Sequence, residues 1–201
     1  PLYFHNPNQE GFEAIIKHLH SKNYKFISIE ELYSRLEKND TKGKLAYISF
    51  DDGWQGNLKL IPIIEKYNVH ITIFIAVNPI MSGNFWWEFV AKKVGYTQMQ
   101  NFKNLPHDEF ESQLKKIKTE VADLQRSAMT IDELETITKH PLISIQSHTI
   151  NHPILTKLPD DLLDFELSES QKQLEKITGK SIFAFSYPNG SISHREIRSE
   201  E

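Results

Sequence analysis

The chain contains no cysteine in its 201 residues, so disulfides and thiolate metal sites are excluded. No apolar run approaches the length of a membrane-spanning helix. Internal repeats and low-complexity linkers are absent, and the length suits one domain, residues 1–201, with a substantial core. An excess of one charge is also missing. With 23 basic and 27 acidic residues the net charge is −4 and the pI near 6.2, which gives no electrostatic case for nucleic acid or an anionic membrane surface. The lack of cysteine does not choose a compartment, because many exported proteins share it. The chain opens on Pro1 without Met or a signal-like segment, which leaves open that a natural N-terminus with an export signal lies upstream.

What is present alternates short apolar runs with amphipathic ones. Phe12, Ile15, Ile16 and Leu19 follow helical spacing and predict a helix over 10–22. Phe26 to Ile29 reads as a short strand, and Ser28 with Glu31 as a capping box opening a helix to Glu37. The run 44–50 reads as a buried strand. Leu58 to Lys66 reads as a helix, with Pro62 tolerated only near its first turn. His70 to Val77 reads as a strand. An insertion then carries Phe85-Trp86-Trp87 and a polar helix over 107–126. Thr130 and Glu133 form a second capping box, before a helix to Lys139. A strand over 142–146 follows. Pro159 and Gly179 bracket a long helix, and Ser181 to Phe185 reads as a fifth strand. From His194 the chain reads as the start of a helix. This alternation predicts an α/β domain with a mainly parallel sheet.

Three polar motifs then fall at the C-terminal ends of three strands, the edge where α/β enzymes build their sites: Asp51-Asp52-Gly53, His148 to His152, and Tyr187 to Gly190. One Asp and two His make a three-ligand set for a catalytic metal, with the other Asp free to act as a base. Taken singly, each motif has a plainer reading. Asp-Asp-Gly is a common solvated turn, and two histidines four apart serve as surface or capping residues. Thr149 stands where the zinc-protease pattern requires Glu, so a protease of that type is not expected. His18 and His20 point to different helix faces, and His70, His107 and His140 sit beside no matching ligands.

Phe50-Asp51-Asp52-Gly53, His148-Thr149-x-x-His152-Pro153 and Phe185-Ser186-Tyr187-Pro188-Asn189-Gly190, in this order, resemble the polysaccharide deacetylases. These are the NodB-homology enzymes of carbohydrate esterase family 4. The first two motifs are specific together, and the third is looser. The resemblance implies a distorted, incomplete (β/α) barrel, here lacking its last strands. It implies removal of N-acetyl groups from an amino sugar or N-acetylated polysaccharide of the GlcNAc type. It also implies a divalent metal: zinc, with cobalt or nickel as alternatives. By position, Asp52, His148 and His152 resemble the metal ligands and Asp51 the general base. The backbone N–H of Asn189 resembles an oxyanion donor. A cell-envelope or secreted location is implied, with the cytoplasm left open.

The pattern departs in two places. Ser186 stands where many members carry an Arg that orients the base. The usual late His that protonates the leaving amine has no match before Glu201, so the acid is expected outside this chain, with His5 and His194 as the candidates within it. Trp54, Trp86 and Trp87 read either as a sugar-stacking platform or as core and loop anchors. A competing function is a truncated or degenerate relative that binds metal or glycan without catalysis.

Overall fold

A computed structural model describes residues 1–190 of the chain. In chain order, β1 (Leu2–Phe4) leads to α1 (Gln9–Ser21), β2 (Lys25–Phe26), α2 (Ile29–Glu37), β3 (Leu45–Ala46) and β4 (Ile48–Phe50). A 3-10 turn (Gln55–Leu60), α3 (Ile61–Tyr67) and β5 (Ile71–Ile75) follow. Four helices form the next stretch: α4 (Val77–Ser82), α5 (Trp86–Val94), α6 (Tyr96–Phe102) and α7 (His107–Glu120). The described chain closes with α8 (Ile131–Ile137), β6 (Ile143–Ser147), α9 (Asp160–Thr178) and a turn at Pro188–Gly190.

The main sheet is parallel, in the order β1-β4-β5-β6, and β2 pairs with β3 alongside it. The predicted strand 44–50 divides at Tyr47 because its halves have different neighbours: Ala46 accepts from Ile27, and Tyr47 accepts from Leu2. The Ile-rich strands bury one face against α1 and α3, where Phe4, Phe12 and Phe50 meet with ring centroids 5.5 to 5.6 Å apart. Burial of each such side chain contributes about 1.5–3 kcal/mol. Pro62 sits in the first turn of α3, where its missing N–H costs nothing.

Several expectations need correction. β1 had no counterpart in the reading of the sequence, being three residues long and largely exposed. The strand placed at 26–29 is two residues, Lys25–Phe26, because Ser28 caps α2. That cap is half a box: Ser28 accepts from the Glu31 N–H, but the Glu31 carboxylate is bound to Lys25 and Arg35 instead. At Thr130 and Glu133 both bonds form. The helix expected over 107–126 ends at Glu120. The fifth strand, 181–185, is a single parallel bridge between Ser147 and Phe185. Its Phe183 and Ala184 N–H groups go to the Gln146 side-chain oxygen, 3.0 and 2.9 Å away, rather than to a backbone ladder. The barrel is therefore open past β6 among the described residues, as a distorted, incomplete barrel would be.

The insertion has its own small core, in which Trp86, Val90, Met99, Phe102, Phe110, Leu114 and Ile117 pack together. It forms one wall of the cleft at the C-terminal ends of the strands. No helix among the described residues is long and apolar enough to cross a membrane.

Candidate metal centre

Because the sheet is parallel and in register, its strands deliver their following residues to one edge. Phe4 pairs with Phe50, so His5 and Asp51 leave adjacent strands side by side. Ile75 pairs with Ser147, so His148 emerges next to Ala76, whose N–H donates to the Asp52 carbonyl. The result is a cleft of about 830 Å³. His5, Asp51, Asp52, Trp54, Trp87, Lys103, His148, His152, Ser186 and Asn189 are among its lining residues.

Asp52, His148 and His152 come together at its floor, each offering a ligand atom within 4.8 Å of the others. They are 2, 1 and 6% exposed. His148 Nε2 and His152 Nε2 lie 3.4 and 3.3 Å from Asp52 Oδ1, but neither contact has hydrogen-bond geometry, and Oδ1 is buried with no hydrogen bond. A buried carboxylate oxygen left so would cost about 1–3 kcal/mol or more. A divalent cation between the three side chains would satisfy it, and one carboxylate with two imidazoles is a donor set suited to such an ion.

The surroundings hold these groups in forms that could bind a cation. The other Asp52 oxygen, Oδ2, accepts from Trp54 Nε1 at 2.8 Å. His148 Nδ1 lies 2.8 Å from the Ser186 carbonyl, an acceptor only, so Nδ1 carries a proton and the neutral ring turns its Nε2 lone pair to the centre. His152 Nδ1 has no partner. Burial alone would raise the Asp52 carboxyl, but the two imidazoles outweigh it and hold the group well below the usual carboxylate range. Burial pushes the His152 imidazole down, against the pull of Asp52. Both shifts favour an ionised carboxylate beside a neutral imidazole.

The backbone here is strained. Asp52, Thr149, His152 and Asn189 all take positive φ, at 78°, 70°, 56° and 61°. Such residues cost roughly 1–3 kcal/mol each and persist only where their surroundings over-determine them. Gly53, with φ of 92°, has a second constraint: a Cβ there would meet Ile75 Cδ1 at 2.8 Å. Thr149 Oγ1 accepts from the His152 N–H at 3.0 Å.

Asp51 stands apart from the ligand group and faces the cleft. Burial raises its carboxyl, with the nearby His148 and His5 pulling the other way. The Ser186 hydroxyl also lowers it as a neutral donor, in the place where the family pattern has an Arg. His5 is exposed on the same wall, its carbonyl held by Asn57 Nδ2 at 2.8 Å. His194 lies outside the described residues. His18 and His20 are exposed on α1, while His140 caps Leu142 and meets Glu65. Trp86 is a core residue whose Nε1 donates to the His152 carbonyl. Trp87 packs on that core and also stands edge-on to the His152 ring at 4.7 Å, at the cleft wall. The Trp54 bond to Asp52 and the α6 stripe of Tyr96, Met99, Gln100 and Lys103 were not anticipated from the sequence. Trp reads as an apolar anchor, and α6 carries no motif.

Comparison with known proteins agrees with this geometry. The polysaccharide deacetylase family profile matches residues 38–200. YxkH of Bacillus subtilis (strain 168) is 23% identical over 197 residues, which is 97% of this chain and 54% of that protein. The chain thus spans about half the length of that curated relative. Among solved structures, Streptococcus pyogenes deacetylase PplD, in complex with acetate, superposes with a TM-score of 0.70 at 19% identity, covering 99% of this chain and 76% of that one. IcaB from Ammonifex degensii gives 0.69 at 15% identity, covering 98% and 78%. At these identities the structural likeness shows the fold.

Proposed function

The chain belongs to the polysaccharide deacetylase family, and from that premise we propose that it is a metal-dependent hydrolase removing N-acetyl groups from an amino sugar or N-acetylated polysaccharide of the GlcNAc type. The observation that carries this reading is the convergence of Asp52, His148 and His152 around a carboxylate oxygen that has no hydrogen bond. Zinc is the ion proposed, with cobalt or nickel able to replace it. When bound, the ion supplies Lewis acidity to the acetamide carbonyl and to the attacking water.

The chain's own residues supply the rest. Asp51, outside the ligand group but next to it in the cleft, is the base that takes the proton from water. Burial raises its carboxyl, which makes it a stronger base than a surface carboxylate. The Asn189 N–H, on the loop after Pro188, is assigned to the oxyanion. The leaving amine needs a proton, because an amide anion is far too basic to depart. His5, which emerges beside Asp51 from the adjacent strand and lines the cleft, is the candidate for that role among the described residues. Trp54 and Trp87 give the cleft aromatic surface suited to a sugar face.

Release of acetate from acetylated glucosamine oligomers tests the reading. Acetate should appear with zinc, fall on chelation and return when zinc is restored. A zinc-loaded protein that binds the oligomer and releases no acetate would instead support the non-catalytic alternative.

A further inference from the structure

The five residues His148 to His152 carry two of the proposed ligands, and two of them, Thr149 and His152, have positive φ. Such a loop needs its backbone groups tied down, and every N–H in it has a partner. His148 donates to the Ile75 carbonyl, Thr149 to Ser147 Oγ, and His152 to Thr149 Oγ1. The remaining two, Ile150 and Asn151, both donate to Glu166 Oε2 at 2.9 Å. Asn151 Nδ2 donates to the other oxygen, Oε1.

Glu166 lies within α9 and is 5% exposed. A buried carboxylate ordinarily has a cationic partner, and no ion pair to Glu166 exists among the described residues. Its partners are three N–H groups of the loop that joins the two histidines. One turn further along α9, Ser170 Oγ meets Ser147 Oγ at 2.7 Å, and Ser147 in turn holds Thr149. The helix therefore grips the loop twice, with the Glu166 carboxyl placed against the residues between the proposed ligands.

We propose that Glu166 is a positioning residue, holding the loop in the shape that lets His148 and His152 reach one ion with Asp52. The inference rests on the metal-centre reading above and extends it to a side chain that contributes no ligand. Among acidic residues of α9 such as Asp160, Asp161, Asp164 and Glu169, Glu166 is the buried one. Gln keeps the shape of Glu166 but replaces one acceptor oxygen by an amide that donates. Because all three partners are donors, one of these bonds must be lost.

The test is zinc affinity, measured by competition with a chromophoric chelator, alongside thermal unfolding of the metal-free protein. Wild type, Glu166→Gln and Leu163→Ala are compared. Glu166→Gln should weaken zinc binding by about 10–100-fold, the usual range for a lost supporting partner. Leu163→Ala removes a buried side chain of the same helix. It should lower the melting temperature and leave zinc affinity unchanged. Equal zinc affinity in wild type and Glu166→Gln overturns the proposal. So does loss of affinity in both variants in proportion to lost stability. Should Glu166→Gln fail to fold, Asn151→Ala carries the test, with weaker zinc binding expected and unchanged binding contradicting it. A wild type that binds no zinc would overturn the metal-centre reading itself, which is a separate outcome.

Discussion

Asp51 and Asp52 carry the same side chain on consecutive residues, and their surroundings give them different work. Asp52 turns into the floor at φ of 78° and meets two imidazoles, while Asp51 faces the cleft beside Ser186 and His5. Asp52→Asn should abolish tight zinc binding. Asp51→Asn should leave zinc bound and lower acetate release by about a hundredfold or more, as for a lost general base. Equal loss of zinc in both variants, by elemental analysis after dialysis, would show the roles to be misassigned. Trp54→Phe keeps the ring and deletes the N–H that Asp52 Oδ2 accepts. It should weaken zinc by about 10–100-fold with little change in fold. The convergence of Asp52, His148 and His152 was legible because their motifs fall together at strand ends and match the deacetylase pattern, although each motif alone has a plainer reading. The parts played by Trp54 and Glu166 were not. An indole announces burial rather than hydrogen bonding, and Glu166 sits in a helix crowded with acids, where an acid ordinarily faces water.

Elements were readable where local chemistry and tertiary packing agree. Thr130 and Glu133 form their reciprocal cap, and α8 begins where that motif places it. Ser28 and Glu31 carry the same pattern, but Lys25 and Arg35 take the Glu31 carboxylate, so only one bond forms. Thr130→Ala should therefore cost about 1 kcal/mol in urea unfolding, and Ser28→Ala less. The segment 181–185 shows the converse. Its composition is that of a strand, yet the Gln146 side chain intercepts the N–H groups a ladder would use, and only the Ser147–Phe185 bridge remains. That depends on a side chain from a distant strand, which periodicity does not report. In the insertion only α7 was legible as a helix, and α4 to α6 were not. Val77 and Ile80 of α4 join the main core, whereas apolar residues of α5 to α7 pack on one another. Phe110, edge-on to Trp86 at 5.0 Å, is central there, and Phe110→Ala should cost about 3–5 kcal/mol by the same urea assay.

Across the whole molecule, parallel strands bring residues from three distant stretches of sequence to one edge, and the insertion walls the cleft they form. A buried carboxylate oxygen and several strained residues then lie in one place, so binding of the ion should stabilise the entire fold. Zinc at a hundredfold excess over its Kd should add about 2.7 kcal/mol and raise the melting temperature, and chelation should reverse this. Asp52, His148 and His152 are proposed to hold one divalent ion. Anomalous diffraction at the zinc edge from zinc-loaded crystals tests that proposal most directly. One peak is expected about 2.0–2.2 Å from an Asp52 oxygen and from a nitrogen of each histidine. A zinc-loaded crystal whose peak lies elsewhere, or that shows none in this cluster, would contradict it.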